Sequence, residues 1–453
     1  MLVQYAALSY CWGEQFDNQK TETRKESLQA SLHRLCEDRL PQSLKDAIKV
    51  TRGLGLRYLW IDSVCIIQND GDDMNSELGK MAHIFQNATV TISASRAKTC
   101  IEGFLGRRID DVYTTGDFME MQMVAGKEIL GPVMLSPKRC QLGQNFQEPI
   151  YHRGWTMQEQ VLSPRILEFG TQQNRWICAE CEVVDGGLRV GKVEGRLQDA
   201  HTLGSRLRSE LPWDNNKWSD WYHLLREYSL RRLKKQKDKL TALSAIAEAY
   251  SRKVPAEYLA GLWSVDFHKH LFWNVEKRRF PRPTCYRAPS WSWASVDGEI
   301  GLWYHGPGLP EHQLTIIESH IEIEDLRNPF GPIRAAWLYC QGYIQQGELE
   351  GPLTWYGVMY RHKSKRAVLN LDIRFDTWDG VGKIPLNLKH VYCLIVERSS
   401  NDVCQGLVLQ RTDVQGCFRR EGVWWSRNPR TDLEEPANKK WLECCQWMTL
   451  KII

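Results

Sequence analysis

The first hundred residues alternate short apolar runs with longer stretches of helical periodicity, and this alternation restricts the fold more than any other feature of the chain. Three runs rich in apolar and β-branched residues predict strands at 6–10, 58–61 and 89–94. Between them, apolar residues recur at helical spacing from Leu44 to Leu54 and from Leu78 to Phe85, which predicts two helices. A β-α-β-α-β order is typical of a parallel sheet, so we expect an α/β fold.

Polar residues follow each of the predicted strands directly. Because the carboxyl ends of parallel strands meet at one edge of an open α/β sheet, where ligands bind, we expect these residues to gather at one site. No glycine-rich phosphate loop follows any of the strands, which argues against a conventional dinucleotide site. The residues at the three strand ends are Ser9, Tyr10 and Cys11, then Asp62 and Ser63, then Ser93 and Ser95.

A third segment extends this pattern. The sequence predicts a helix over 154–162 and a strand over 165–169. Helical spacing lets Gln158 or Glu159 point back at the sheet while Trp155 packs. This helix therefore supplies further candidates for the same site.

The wording and order of three segments resemble the signature blocks of the fungal heterokaryon-incompatibility (HET) domain. They are YAALSYCWGE at 5–14, RYLWIDSVCIIQND at 57–70 with its continuation at 81–95, and HRGWTMQEQVLSPRILEFG at 152–170. The resemblance implies a TIR-like or flavodoxin-like parallel sheet and a cytoplasmic role in self/non-self recognition and programmed cell death. Family members commonly carry tens of residues before the first block, so a strand or lid of the usual layout is expected to be missing here.

The remainder of the chain changes character twice, and we predict three parts. A HET domain covers 1–182, and a polar linker at 183–215 followed by helices makes up 183–285. Short alternating and aromatic runs separated by turns then predict an antiparallel β-rich domain over 286–453. Within it, the Ser-Trp-Ser-Trp run would place Trp291 and Trp293 on the same face of a strand.

Composition excludes several classes of partner. Fourteen cysteines without a secretory signal predict reduced thiols in the cytoplasm. The C-x-x-C of Cys178 and Cys181 has no second pair at zinc-ligand spacing, so we expect no metal and no cofactor. No apolar run is long enough to span a bilayer. The net charge is +4, and the basic run at 231–239 lacks interleaved aromatics, so we expect neither membrane nor nucleic-acid partners.

Three side chains are candidates for a catalytic role, namely Asp62 and Glu159 as acid–base groups and Gln158 beside them. For both carboxylates a structural role as a cap or ion-pair partner stays open beside the catalytic one. Cys11 has no histidine placed in sequence to activate it. The residues expected to contact a bound molecule are Tyr10, Cys11, Trp12, Ser93, Trp155, Arg165, Trp291 and Trp293.

Three functions remain open on this evidence. The family resemblance implies an incompatibility or cell-death protein with a protein partner. The alternative is a cofactor-independent cyclase or pericyclase (Diels–Alder type) of fungal secondary metabolism. Such an enzyme needs only an aromatic pocket for an apolar polycyclic terpenoid or polyketide, with walls from Trp291, Trp293, Trp303 and Tyr304 between the two halves. A third possibility, NAD hydrolysis, rests on analogy with TIR enzymes alone.

Overall fold

The structure is a computed structural model, in which contacts divide the chain into two compact units, Met1–Arg208 and Ser209–Ile453. The residues it describes are 3–13, 21–106, 119–125, 128–135, 148–171, 173–185, 189–190, 200–208, 217–276, 279–302, 311–350, 358–361, 368–377, 390–399, 403–426 and 441–453.

The first unit is mixed α/β. Its strands are β1 (Tyr5–Ser9), β2 (Tyr58–Trp60), β3 (Val90–Ser93), β4 (Met119–Ala125), β5 (Glu128–Leu135), β6 (Arg165–Phe169), β7 (Asn174–Cys178), β8 (Glu182–Val184) and β9 (Arg189–Val190). Its helices are α1 (Leu28–His33), α2 (Gln42–Gly53), α3 (Asp62–Cys65), α4 (Gly71–Asn87), α5 (Trp155–Leu162) and α6 (Ala200–Arg208).

Seven of these strands form one sheet in the order β2-β1-β3-β6-β7-β8-β9, while β4 and β5 pair with each other. The strands β2, β1, β3 and β6 are mutually parallel, and β7, β8 and β9 continue the sheet in antiparallel fashion. The predicted parallel sheet is therefore confirmed. Its antiparallel extension was not predicted.

The two faces of this sheet differ in polarity, because successive side chains of a strand point to opposite sides. On one face, Leu8 and Ile92 pack in a core with Leu44 and Ala47 of α2. The other face carries Thr91, whose hydroxyl bonds that of Ser163 just after α5. Helix α5 packs on this second face, and α4 contacts α5.

The second unit is β-rich. Its helices are α7 (Lys217–Ser229), α8 (Thr241–Ser251) and α9 (Phe267–His270). Its strands are β10 (Tyr258–Leu259), β11 (Leu262–Trp263), β12 (Trp273–Val275), β13 (Ile300–Leu302), β14 (Glu311–His312), β15 (Leu314–Ile323), β16 (Ile333–Glu350), β17 (Val358–Arg361), β18 (Val368–Phe375), β19 (His390–Arg398), β20 (Cys404–Arg411), β21 (Cys417–Ser426) and β22 (Gln446–Ile452).

Strands β14 to β22 form a nine-stranded sheet, and every pairing within it except β21–β22 is antiparallel. This confirms the predicted antiparallel β-rich C-terminal part. One of its cores contains Trp424 and Trp441, which lie edge to face at 5.5 Å between ring centroids. Aromatic pairs in this arrangement add stabilisation beyond the area they bury.

Two segments differ from the expected structure. The Ser-Trp-Ser-Trp run at 290–293, which was predicted to lie in a strand, is instead part of a turn, because Ser292 caps a 3-10 segment at Trp293–Ser295 through its side chain. The segment at 183–215 begins within β8, which extends the sheet, and contains α6, which packs on α5. Among the described residues, no helix is both long enough and apolar enough to cross a bilayer.

Candidate functional site

Asp62 joins the first two signature segments. It follows β2 and is the first residue of the short helix α3. Its Oδ2 accepts a hydrogen bond of 2.9 Å from Trp12 Nε1, and its Oδ1 accepts one of 2.7 Å from the backbone N–H of Ser63. Both carboxylate oxygens are thus engaged by groups of the chain itself.

Tyr10 makes a second connection between the same segments. Its hydroxyl donates to Ser63 Oγ at 2.9 Å, and the residue is only 4% exposed. The rings of Tyr10 and Trp12 are 6.5 Å apart at an interplanar angle of 27°. Because a buried hydroxyl needs a partner, this bond helps to hold the carboxyl end of β1 against α3.

Arg153 brings the third segment to this edge. Its Nη1 donates a hydrogen bond to the backbone carbonyl of Tyr10. Burial raises the pKa of Asp62 and that of Cys11, and the charge of Arg153 opposes both shifts, so Arg153 lies close to both groups. Arg153 was not among the site residues predicted from the sequence. The available signal was a cation in the third segment beside an edge predicted to contain a carboxylate.

Burial controls the protonation of the groups at this edge. Although Asp62 as a residue is only half-buried, its carboxyl is surrounded by protein, and this burial raises its pKa against the opposing effects of Arg153, the Ser63 N–H and Trp12. Burial also raises the pKa of Cys11 to about 11, with Arg153 opposing and Glu159 reinforcing the shift. The Cys11 thiol is therefore protonated at neutral pH and is a poor nucleophile.

Gln158 and Glu159 both lie in the buried part of α5. They are 1% and 7% exposed, respectively. Gln158 Oε1 and Ser9 Oγ have no hydrogen-bond partner among the described residues. Since unpaired buried polar atoms are rare, they mark places that suit an ordered water or a small polar ligand.

Ser93 belongs to a polar row across the second face of the sheet. Register aligns Ser9, Ser93, Glu168 and Arg175 on four neighbouring strands. Glu168 is 2% exposed, and its carboxylate accepts hydrogen bonds from Tyr151 Oη and Arg175 Nε. Ser93 Oγ bonds Ser95 Oγ at 2.9 Å. Glu168 and Arg175 were not among the predicted site residues, because their alignment depends on strand pairing.

For the other predicted contact residues, no hydrogen bond to this network is found within the part of the chain that the structure describes. Arg165 begins β6 at the opposite edge of the sheet, is exposed, and donates to the carbonyl of Thr89. Trp155 is half-buried at the start of α5. In the second unit, Trp291 and Trp293 are fully buried. Trp303 and Tyr304 lie outside the described residues.

Close packing accounts for the burial of these two tryptophans. Trp293 Nε1 donates to the carbonyl of Gly261 at 3.0 Å, and the carbonyl of Trp291 accepts from Trp273 Nε1 at 2.8 Å. Gly261 has a φ of +97°, and a Cβ there would lie 2.5 Å from Trp293 Nε1. The two rings are therefore core side chains of this unit.

The C-x-x-C of the first unit brings two thiols together. Cys178 Sγ and Cys181 Sγ are 3.7 Å apart in the turn between β7 and β8. Within the described ranges, no third ligand completes a metal group around them. The pair alone does not form a structural zinc site, which takes four ligands.

The fold and this edge define a class of protein: an α/β domain in which three separated segments are tied together at the carboxyl ends of its parallel strands. Residues 5–159 match the family described as "Heterokaryon incompatibility protein (HET)". Residues 5–159 of the chain therefore carry a HET domain. No curated protein and no solved structure matched the chain.

Proposed function

We propose that this chain acts in fungal self/non-self recognition, and that its HET domain triggers programmed cell death in the cytoplasm through a protein partner. The observation that carries the proposal is the family match over residues 5–159. The matched range contains Trp12, Asp62 and Arg153, through which the three signature segments are joined. In this proposal, the joined edge maintains the shape that the partner recognises.

The chemistry of the edge supports recognition over acid–base catalysis. A general acid or base must be able to reach the proton it transfers. Both oxygens of Asp62 already accept hydrogen bonds, the thiol of Cys11 has a raised pKa, and Arg153 is engaged with the Tyr10 carbonyl. These interactions suit a structural role, in which the side chains hold the three segments together.

The order of the strands supports the expected similarity in fold to flavodoxin-like and TIR-like domains. In chain order the four parallel strands are β1, β2, β3 and β6, and in space they run second, first, third, fourth. A flavodoxin-like sheet begins in this order, with its ligand crevice between the first and third strands. Ser9 and Ser93, which end those strands, are register neighbours.

The two enzyme hypotheses have less support. The cyclase hypothesis used Trp291 and Trp293 as pocket walls, and packing within the second unit already accounts for their burial. NAD hydrolysis needs a glutamate that a nucleotide can reach, whereas Glu159 and Glu168 are 7% and 2% exposed. Neither is favoured by an observation on the described residues.

Induced expression of the full chain in a filamentous fungus tests the proposal. We expect cell death on induction of the wild type, and loss of that death in Arg153→Met at equal protein abundance. Arg165→Met is the matched control from the same segment, and its induction should cause cell death to the same extent as induction of the wild type.

Two further readouts separate the alternatives. Cellular NAD should stay constant until viability falls, and extracts should contain no new metabolite. Normal growth at high wild-type abundance contradicts the cell-death proposal. A fall in NAD that precedes death would instead support the hydrolase, and a new polycyclic product would support the cyclase.

A further inference from the structure

Three potential metal ligands meet in the second unit, far from each other in sequence. His268 Nε2 lies 3.6 Å from Glu397 Oε1, and His312 Nδ1 lies 3.8 Å from the same oxygen. One ligand atom from each of the three residues falls within 4.8 Å of the others. The two imidazole rings are in contact, with centroids 3.5 Å apart.

Strand pairing creates this group. His312 of β14 and Glu397 of β19 are register neighbours, and Gln405 of β20 pairs with Glu397 from the other side. Registered side chains share one face of a sheet and lie about 5 Å apart at Cβ. His268 comes from α9 and completes the group. The backbone of the unit thus holds the positions of all three side chains.

The group contains polar atoms that the protein leaves unsatisfied. Glu397 is 1% exposed, and its Oε1 has no hydrogen-bond partner among the described residues, nor does His268 Nε2. The other oxygen, Oε2, accepts a hydrogen bond from Gln405 Nε2. In metal sites, a ligating carboxylate is commonly held in place by a hydrogen bond to the oxygen that does not bind the metal. Glu397 has this arrangement, because Gln405 bonds one of its oxygens and the other oxygen is open.

We propose that His268, His312 and Glu397 bind a divalent transition metal ion, with Zn²⁺ as the preferred ion. Two imidazoles and one carboxylate are a known zinc ligand set that leaves a fourth position for water or a substrate group. A tetrahedral ion with metal–ligand distances of roughly 2.1 Å places its ligand atoms about 3.4 Å apart. The separations of 3.6 and 3.8 Å to Glu397 Oε1 are close to that value.

The competing explanation is a plain imidazole–carboxylate pair. Such a pair satisfies Glu397 with one histidine, and it predicts no response to zinc. A metal site instead needs all three side chains. No metal was predicted from the sequence, because ligands separated by tens of residues show no spacing signal. The proposal revises that expectation.

Zinc binding to the purified full chain provides the test, with ZnCl₂ as the only added ligand. The Cys178–Cys181 pair could also take up zinc, so all proteins carry Cys178→Ser. After dialysis against a chelator, calorimetry should show about one zinc bound per chain. Thermal unfolding should shift upward with added zinc, because the ion binds the folded state.

Variants assign the binding to this group. His312→Ala and Glu397→Gln should each weaken zinc affinity by more than 10-fold, and Gln405→Ala by about 10–100-fold. The His312 side chain is 48% exposed, so its removal should leave the fold intact. His390→Ala is the control, since His390 is 51% exposed and lies beside Glu348, at 3.3 Å, in the same sheet. Absence of binding in the parent protein, or equal binding in His312→Ala and His390→Ala, would overturn the proposal.

Discussion

The indole N–H of Trp12 donates a 2.9 Å hydrogen bond to Asp62, across 50 residues of sequence. The bond links the end of β1 to the start of α3, and it engages one of the two oxygens of the Asp62 carboxylate. Because hydrogen bonds to charged groups are stronger than those between neutral groups, this contact stabilises the edge of the sheet more than an ordinary turn contact would.

Removing either partner should therefore loosen the edge. We expect Trp12→Phe and Asp62→Asn each to lower the local free energy of opening by roughly 1–3 kcal/mol. The double variant should lose less than the sum, because the two changes break one shared bond. Hydrogen-exchange mass spectrometry of peptides covering 5–13 and 58–66 measures this opening. Trp447→Phe, at an exposed tryptophan of the second unit, should leave both peptides unchanged.

Arg153 should contribute more to the stability of the first unit than Arg165 does, although both residues belong to the third segment. Arg153→Met removes the donor to the Tyr10 carbonyl and the cation that opposes the raised pKa of Asp62. We expect a loss of about 1.5–3 kcal/mol in the stability of the first unit. Arg165→Met, at an exposed position, should change it by less than about 0.5 kcal/mol. Equal effects in urea unfolding would show that Arg153 does not tie the segments together.

Thiol reactivity separates the structural and nucleophilic hypotheses for Cys11. The thiolate is the reactive species, and burial raises the pKa of Cys11 to about 11. Near neutral pH, iodoacetamide should label the exposed Cys36, Cys285 and Cys444 well before Cys11. Cys11 should react only after unfolding in denaturant, as should the buried Cys393. Peptide mass spectrometry gives the rates, and native labelling of Cys11 as fast as that of Cys285 would restore the nucleophile hypothesis.

Lys239 should give the second unit a recognisable pH dependence. Its ammonium donates to the carbonyl of Val296 and lies 3.6 Å from Asp297, yet burial lowers its pKa to about 8. Between pH 8 and the ordinary lysine value of about 10.4 the unfolded chain binds more protons, so this group's contribution to stability rises with pH. It is complete above about 10.4 and is lost as the pH falls through about 8.

Comparison with Lys239→Met isolates that effect from the tyrosines and cysteines that titrate in the same range. The variant has no proton to lose, so its stability relative to wild type should fall between pH 7 and pH 10, by on the order of 2–3 kcal/mol. Urea unfolding at several pH values measures the difference. A constant difference across this range would mean that Lys239 keeps an ordinary pKa in the folded protein.

Local patterns were sufficient for the elements that form the parallel sheet. The strand predicted at 165–169 matches β6, and the helix predicted at 154–162 matches α5 to within one residue. The helix predicted from the spacing of Leu78 to Phe85 begins at Gly71, because the side chain of Asp70 accepts hydrogen bonds from the backbone N–H groups of Asp72 and Asp73. Periodicity and capping involve residues that are close in sequence, so the sequence alone is enough to predict them.

Prediction from local patterns was wrong where one pattern was compatible with both a strand and a turn. The Ser-Trp-Ser-Trp run alternates as a strand does, but the Ser292 side chain caps a turn instead, and burial of Trp291 and Trp293 stabilises that turn. A propensity is a weak preference, and tertiary packing of two large rings overrides it.

What the sequence by itself determined is the order of elements and the edge at which Tyr10, Asp62 and Ser93 collect, because strand direction follows from β-α-β order. Tertiary structure alone decided which side chains touch there. The bond from Arg153 to Tyr10 spans 143 residues, and the group of His268, His312 and Glu397 depends on the register of β14 against β19. Such contacts form only when strands pair and helices pack, so no local signal in the chain encodes them.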